Sequence, residues 1–504
     1  MADSRAGRDR DGGAGAGGVD AVEPYNMHVS AKYLELTKRK LELTRLPHEL
    51  LLPEERRWTY GTPKSVLEPL VDYWLTDYDW RAQERHFNAH LPQFRTTIPI
   101  PIEGEAETDN NSLRIHFVHQ PARLGDLTPP RTSAVTVIPL LWCHDVPASS
   151  FLEMGRVMEA LVACVEEGGV TMDDGEGYAV VGRKEDRGRE VAFHVVAPSV
   201  PGMGFSEGGR EEGFGAWETA GVFDALMRRL GYERYVAFGA GWGFAVCRAL
   251  ALRYGDDSCV AIHVANPASF FPAPSLRTTP LAWLKYHFAR VTKARIPGLA
   301  FGYTPADFGY SNSRAISQSK TPDEEKRIAD SLGGAPEGER LAAGKMVSSS
   351  RFQTAAYALC DSPVGLLAHT LDVLRPCLAL GQSGALSSLW TPAALLNWTM
   401  MRWLPGPEAG LRWLQRAKME IKGGQQLWQR YSNVPLGISQ FGRSRGAGGT
   451  EDAMLGWAEA WQRVTWMKRR EDDDAVRPEW ERPEELVEDL KDSFGKAWAA
   501  RIEG

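Results

Sequence analysis

Apolar residues recur at helical spacing from Val29 to Leu43, and again from Pro63 to Trp74, where Val66, Leu67, Leu70, Val71 and Trp74 share one face. This predicts a helical N-terminal segment. Further along, short unbroken apolar runs replace the helical period. Leu113 to His119, Val135 to Trp142, Val191 to Ala197, Tyr235 to Phe238 and Cys259 to Val264 read as strands. Phe151 to Val165, Trp217 to Leu230 and Phe244 to Tyr254 read as helices between them. Strands alternating with helices predict an α/β protein with a doubly wound, mostly parallel sheet. After Pro267 the pattern turns helical up to about Leu374, as expected of a lid over the carboxyl ends of the strands. Two late strands, around Val434 to Ser439 and Arg463 to Met467, complete the series. Leu389 to Leu404 reads either as a buried or pocket-lining helix or as one in contact with a membrane surface. Glu167 to Glu190 and Gln440 to Thr450 are Gly-rich and charged, and predict surface loops.

Composition narrows the class. With 504 residues, 43% of them hydrophobic, the chain can bury a large core. Its net charge of -7, with basic residues dispersed among acidic ones, argues against nucleic acid as a partner. The 6 cysteines lie mostly in apolar runs without metal-ligand spacing, as in a reduced, cytoplasmic protein without a metal or other cofactor. Met1 to Val19, rich in Gly, Ala, Asp and Arg, reads as a disordered tail, and no apolar run is long enough to span a membrane.

The candidate chemistry begins with an omission. Between the strand Tyr235 to Phe238 and the helix from Phe244 lies Phe238-Gly239-Ala240-Gly241-Trp242-Gly243. A strand-to-helix turn flanked by small residues is how an α/β-hydrolase fold presents its nucleophile, and its pivot here, Gly241, has no side chain. No Ser, Cys, Thr, Asp or Glu occurs from Ala237 to Val246. Cys247 is nearest, but it lies on the following helix and reads as core.

Several further segments resemble one family. Trp58-Thr59-Tyr60-Gly61, Tyr78-Asp79-Trp80-Arg81 and Pro92-Gln93-Phe94 resemble the N-terminal (EHN-type) domain of microsomal and juvenile-hormone epoxide hydrolases. His144-Asp145-Val146-Pro147 resembles that family's H-G-x-P motif, Ala197 to Ser206 its second strand-loop signature, and Ala358 to Leu366 the end of its lid. The resemblance covers roughly residues 30 to 490. It implies an Asp nucleophile that opens an epoxide to an enzyme ester, a His braced by an acid that activates water, and lid tyrosines on the epoxide oxygen. It also implies an oxyanion hole from the backbone N–H groups of Val146 and Trp242 and a small hydrophobic substrate, an epoxide or a related precursor of secondary metabolism.

Mapped onto this sequence, the nucleophile position falls on Gly241 and the base position on Val476 or its neighbour Ala475. The acid position falls near Ser444, and Tyr303 and Tyr310 are the lid candidates; a further lid position falls near Gly344. All 11 histidines lie at or before His369, ahead of the place where the family's base belongs. Asp145 replaces the usual Gly. It is either a proton donor beside the oxyanion hole, its pKa raised by burial, or a side chain that turns to solvent or caps a turn. His144 is expected to brace its loop, His263 to be a core residue, and Pro147 to match a cis-proline of the family. The expected organisation is a tail at 1–24, an N-terminal domain at 25–130, a hydrolase core at 131–267 and 375–504, and a lid at 268–374. Two functions compete: an epoxide-hydrolase-like enzyme working by non-covalent acid and oxyanion catalysis, and a catalytically silent relative that binds a ligand or a protein partner.

Overall fold

The computed structural model describes residues 21–53, 56–100, 112–124, 135–147, 149–163, 190–209, 214–267, 270–296, 299–301, 303, 352–378, 389–422, 430–442, 455–470, 473 and 475–502. The expected tail at Met1 to Val19, the predicted loop at 167–189, Gly344, Tyr310 and Ser444 lie outside them.

The strands are β1 (Glu23–Pro24), β2 (Gln93–Pro99), β3 (Ser112–Gln120), β4 (Val135–Cys143), β5 (Glu190–Pro198), β6 (Tyr235–Ala240), β7 (Cys259–Ala265), β8 (Ser432–Phe441) and β9 (Gln462–Arg470). They form one sheet in the order β1-β2-β3-β5-β4-β6-β7-β8-β9. From β5 to β9 every pairing is parallel, while β1, β2 and β3 pair antiparallel with one another and β3 with β5. The central parallel strands β4, β6 and β7 are largely apolar, since helices cover both faces, whereas the edge strand β9 is mostly polar and half-buried. Along β4, Ile138, Leu140 and Trp142 join one core cluster, while Leu141 and Cys143 join the other, as alternation across a sheet requires.

One face carries α4 (Met154–Val162), the short α12 (Pro478–Glu481) and the long C-terminal α13 (Pro483–Ile502); the other carries α5 (Ala216–Arg229) and α6 (Gly243–Tyr254). Between β7 and β8 come α7 (Pro280–Thr292), α8 (Phe352–Asp361), α9 (Pro363–Leu374), α10 (Pro392–Trp403) and α11 (Glu408–Lys422). The N-terminal α1 (Ala31–Glu42), α2 (Lys64–Thr76) and α3 (Trp80–His90) pack on this group. Tyr78 donates to Asn397 Oδ1 at 2.7 Å, Asn397 to Gln83 at 2.7 Å, and Trp403 Nε1 to the Thr37 hydroxyl at 2.8 Å. The buried face of Leu389 to Leu404 therefore meets the N-terminal helices, and α9 and α10 pack as a pair across the expected lid boundary at 374. Glu23 and Pro24, inside the expected tail, instead form the edge strand β1 on Arg95 and Phe94. Among the described residues no helix is long and apolar enough to cross a membrane.

Candidate active site

In an open parallel sheet the functional end lies beyond the carboxyl ends of the strands. Three segments meet there: the turn after β6, the loop after β4 and the loop after β9. The turn after β6 has the backbone of a nucleophile elbow. Gly241 sits at φ +50°, in the left-handed region, and α6 starts two residues later. Gly243 is required because a Cβ there would collide with the carbonyl oxygens of Cys143 and His144. The elbow is therefore built, but it presents no side chain.

The space beside it is occupied by Asp145. Its Oδ1 accepts the backbone N–H of Val146 at 2.8 Å and that of Trp242 at 2.7 Å, the two donors expected to form the oxyanion hole. Its Oδ2 accepts from the Arg477 guanidinium at 2.7 Å. Asp145 is buried and does not turn to solvent, and a Cβ built on Gly241 would overlap its carboxyl group. All three contacts come from donors, an arrangement that suits an ionised carboxylate, which can only accept.

The loop after β4 is held from the other side by His144. Its Nδ1 lies 2.9 Å from the Asp145 carbonyl oxygen, to which it donates, while Nε2 accepts the Val200 N–H at 3.1 Å. Burial holds its pKa below the usual value, so the ring is a neutral brace. His116 does the same for the neighbouring strand-loop, touching the Ser199 hydroxyl at 2.9 Å and Gln93 Oε1 at 3.1 Å. The Val146-Pro147 peptide is cis.

Behind the carboxylate lies a set of groups that sequence reasoning missed. Arg477 follows Val476 in the loop after β9, and its guanidinium also lies 3.6 Å from Glu479 Oε1 and 5.4 Å over the Trp398 ring. Glu479 and Glu153 are both buried, and Glu153 Oε2 accepts Trp142 Nε1 at 2.8 Å. Burial and mutual repulsion push the Glu479 pKa up to about 8, and burial pushes that of Glu153 up to about 7. One guanidinium thus faces three carboxyl groups. Trp390, Trp398 and Trp480 wall the group, with ring centroids 5.0 to 5.4 Å apart. A charged residue inside the apolar run Phe151-Leu152-Glu153-Met154 was the one signal available in the sequence.

The remaining positions lie elsewhere. Val476 is 42% exposed; its N–H donates to Glu481 Oε2 at 2.7 Å and its carbonyl accepts from Asn266. Ala475 is buried, with its carbonyl on the same Asn266 amide at 2.9 Å. Tyr303 is buried against Tyr286, their ring centroids 5.9 Å apart. Cys247 is fully buried, and desolvation holds its thiol well above the ordinary range. A second grouping of hydrolase residue types, Ser439, His263 and Asp489, lies in the core. There Ser439 donates to Asp489 at 2.6 Å and stands 2.9 Å from His263 Nε2, so the imidazole is the donor and cannot activate the hydroxyl. Arg470 clamps Asp489 at 2.7 and 2.8 Å, a structural bridge between β9 and α13. No cluster among the described residues has the make-up of a metal site.

Comparison with known proteins agrees with this architecture. Residues 22–154 match the family model described as epoxide hydrolase N terminus, and residues 184–305 match that of the alpha/beta hydrolase fold. The chain is 27% identical to epoxide hydrolase 1 of Oryctolagus cuniculus over 70% of its own length and 62% of the relative's. It is 25% identical to the juvenile hormone epoxide hydrolase of Bombyx mori, over 76% of this chain and 68% of that one. Its fold is similar to the crystal structure of the juvenile hormone epoxide hydrolase from Bombyx mori, with a TM-score of 0.62, 19% identity and 95% of each chain covered. It is also similar to that of Aspergillus niger epoxide hydrolase, with a TM-score of 0.58, 21% identity, and 95% and 97% covered. The chain belongs to the epoxide hydrolase family, in which an EHN-type N-terminal domain accompanies an α/β-hydrolase fold.

Proposed function

We propose that this chain is a non-hydrolytic member of that family, one that binds a hydrophobic small molecule and does not open epoxides through an enzyme ester. The observation that carries this is the seat of the Asp145 carboxylate: its Oδ1 takes both backbone donors of the oxyanion hole, and its Oδ2 is held by Arg477. An oxyanion hole stabilises charge that develops during reaction only if it is vacant beforehand. Here a resident anion fills it. With hydrogen at the pivot of the elbow and Val476 or Ala475 at the base position, neither the displacement nor the hydrolysis of its product has a group at its family position to perform it.

A second reading, ring opening by acid catalysis without a covalent step, has one observation in its favour. Glu153 and Glu479, with pKa values raised to about 7 and 8, hold protons near neutral pH. Both, however, are buried behind Arg477, among tryptophans rather than at the elbow.

Styrene oxide separates these possibilities. Full-length protein incubated with it in isotopically labelled water is expected to give no covalent adduct and no diol above buffer alone. The double variant Asp145→Gly with Gly241→Asp empties the hole and supplies an attacking oxygen. Its carboxylate should displace the ring oxygen from carbon, the alkoxide taking a proton from solvent. Because no base hydrolyses the ester, intact-mass measurement should show one trapped styrene oxide. Gly241→Asp alone should trap none, since Asp145 already occupies that volume. Diol formation by the unaltered protein at rates ordinary for epoxide hydrolases would overturn the proposal.

A further inference from the structure

At the opposite end of the sheet, by the amino ends of the parallel strands, a cavity of about 580 Å³ opens between the last turn of α6, the starts of β8 and β9, and α13. That volume is in the range of small-molecule sites. The elbow lies at the other end of α6, whose twelve residues span about 18 Å at the usual rise.

The wall is cationic. Arg253, Arg430, Arg463, Lys496 and Arg501 line it, and Asp256 is the one carboxylate among the described lining residues. In a chain of net charge -7 this is a local inversion of sign, and a concave wall concentrates the field of such a cluster. Some of these cations are already engaged. Arg253 donates to the Trp217 carbonyl at 2.7 Å, Lys496 pairs with Asp492 at 2.7 Å, and Arg501 donates to the Asp256 carbonyl at 3.3 Å. Arg430 and Arg463 have no ion-pair partner among the described residues. Arg248, fully buried, donates to the Arg430 carbonyl and to Gln462 Oε1, and so fixes the backbone at the start of β8. The hydroxyls of Ser432, Thr465 and Ser493 belong to the same wall. Two aromatic rings complete it. Tyr431 is 54% exposed, and Trp466 is anchored through Nε1 to Asp492 at 2.7 Å.

Cations with spare donors, hydroxyls and an exposed ring face are what a phosphorylated aromatic molecule needs. We propose that this cavity is a second ligand site, distinct from the elbow, for a small molecule that joins an aromatic ring to at least two phosphate charges, as a nucleoside diphosphate does. Arg430 and Arg463 take the phosphates and Tyr431 takes the ring.

Titration calorimetry of the full chain with ADP, inorganic pyrophosphate and adenosine tests this. ADP should bind, and Arg463→Glu and Arg430→Glu should each weaken it by at least about tenfold. Lys293→Glu, at the far end of α7, should leave it unchanged. Pyrophosphate should bind several-fold more weakly than ADP, and adenosine not measurably. Arg463→Gln, which removes the charge without reversing it, serves if the Glu variant does not fold, with loss of ADP affinity again expected. ADP binding should persist in the Asp145→Gly, Gly241→Asp double variant, which separates this site from the function proposed for the elbow. Absence of ADP binding, or affinity insensitive to both arginines, overturns the assignment. Equal affinity for ADP and pyrophosphate overturns its aromatic half.

Discussion

Truncating Arg477 to Met would leave Asp145 accepting only its two backbone N–H groups, beside Glu153 and Glu479 with no cation in reach. The side chains of Arg477 and Asp145 are 11% and 12% exposed, so water cannot replace the lost partner. Breaking a buried pair by removing one member costs about 3–5 kcal/mol, because the survivor stays desolvated. Arg477→Met should therefore lower the unfolding free energy by that order in denaturant titration. Arg477→Met combined with Asp145→Gly should recover part of it, since the orphaned charge is gone. A single variant as stable as the parent would mean that the ion pair contributes nothing. The bare pivot of the turn after β6, Gly241, was legible in the sequence because it depends on one residue in a recognisable turn. The seat of Asp145 on the Val146 and Trp242 N–H groups was not. Arg477 and Asp145 are 332 positions apart, and nothing local to His144-Asp145-Val146-Pro147 separates a carboxylate that donates a proton from one clamped by a distant guanidinium.

Single elements show which patterns a sequence carries openly. The parallel strands β4 to β8 announce themselves as apolar runs because both of their faces are covered. The strand β2, Gln93–Pro99, mixes Arg95, Thr96 and Thr97 with apolar positions, and β1 is only two residues long, so neither carries a comparable signal. What places β1 is a polar anchor. Glu84 on α3, buried, accepts the Val29 N–H at 2.6 Å, Trp80 Nε1 at 3.3 Å and Arg81 at 2.5 Å, while Asn88 exchanges two bonds of 2.8 Å with the Met27 backbone. Replacing Glu84 with Ala leaves a buried N–H and a guanidinium without their acceptor, at a cost of about 2 kcal/mol. The expected outcome is faster proteolysis ahead of α1 together with a lower melting temperature. Glu84→Gln, which keeps an acceptor for Val29, should lose less. If cleavage within residues 21–30 is no faster in Glu84→Ala, the carboxylate is not what pins the segment.

At the scale of the whole molecule, folding brings together charges that look scattered along the chain. The cavity cations come from positions 253, 430, 463, 496 and 501, and read linearly they are diluted by acidic neighbours. The buried carboxyl groups are dispersed in the same way, and together they shape the dependence of stability on pH. Glu153, Glu479 and Glu420 keep their protons in the folded state to about 7, 8 and 8, whereas the unfolded chain releases them near 4.5. Between those limits the unfolded state binds fewer protons, so each glutamate makes stability fall as pH rises. His116, His144, His263 and His369 act in the opposite sense. Burial lowers their folded pKa values, so below the ordinary histidine value the unfolded chain takes up protons that the folded one refuses. The two sets oppose one another from about pH 4.5 to 6.5, and above that only the glutamates act. Stability should therefore peak near pH 6.5 and decline toward pH 8, each retained proton contributing a slope of up to about 1.4 kcal/mol per pH unit. Glu479→Gln, which remains neutral throughout, should flatten that decline without shifting the acid limb set by the histidines. Unfolding free energies measured from pH 5 to 8.5 for both proteins decide the matter. Parallel curves above pH 6.5 would show that Glu479 ionises in the folded chain as readily as in the unfolded one, and that the group behind Asp145 is solvated in a way its burial excludes.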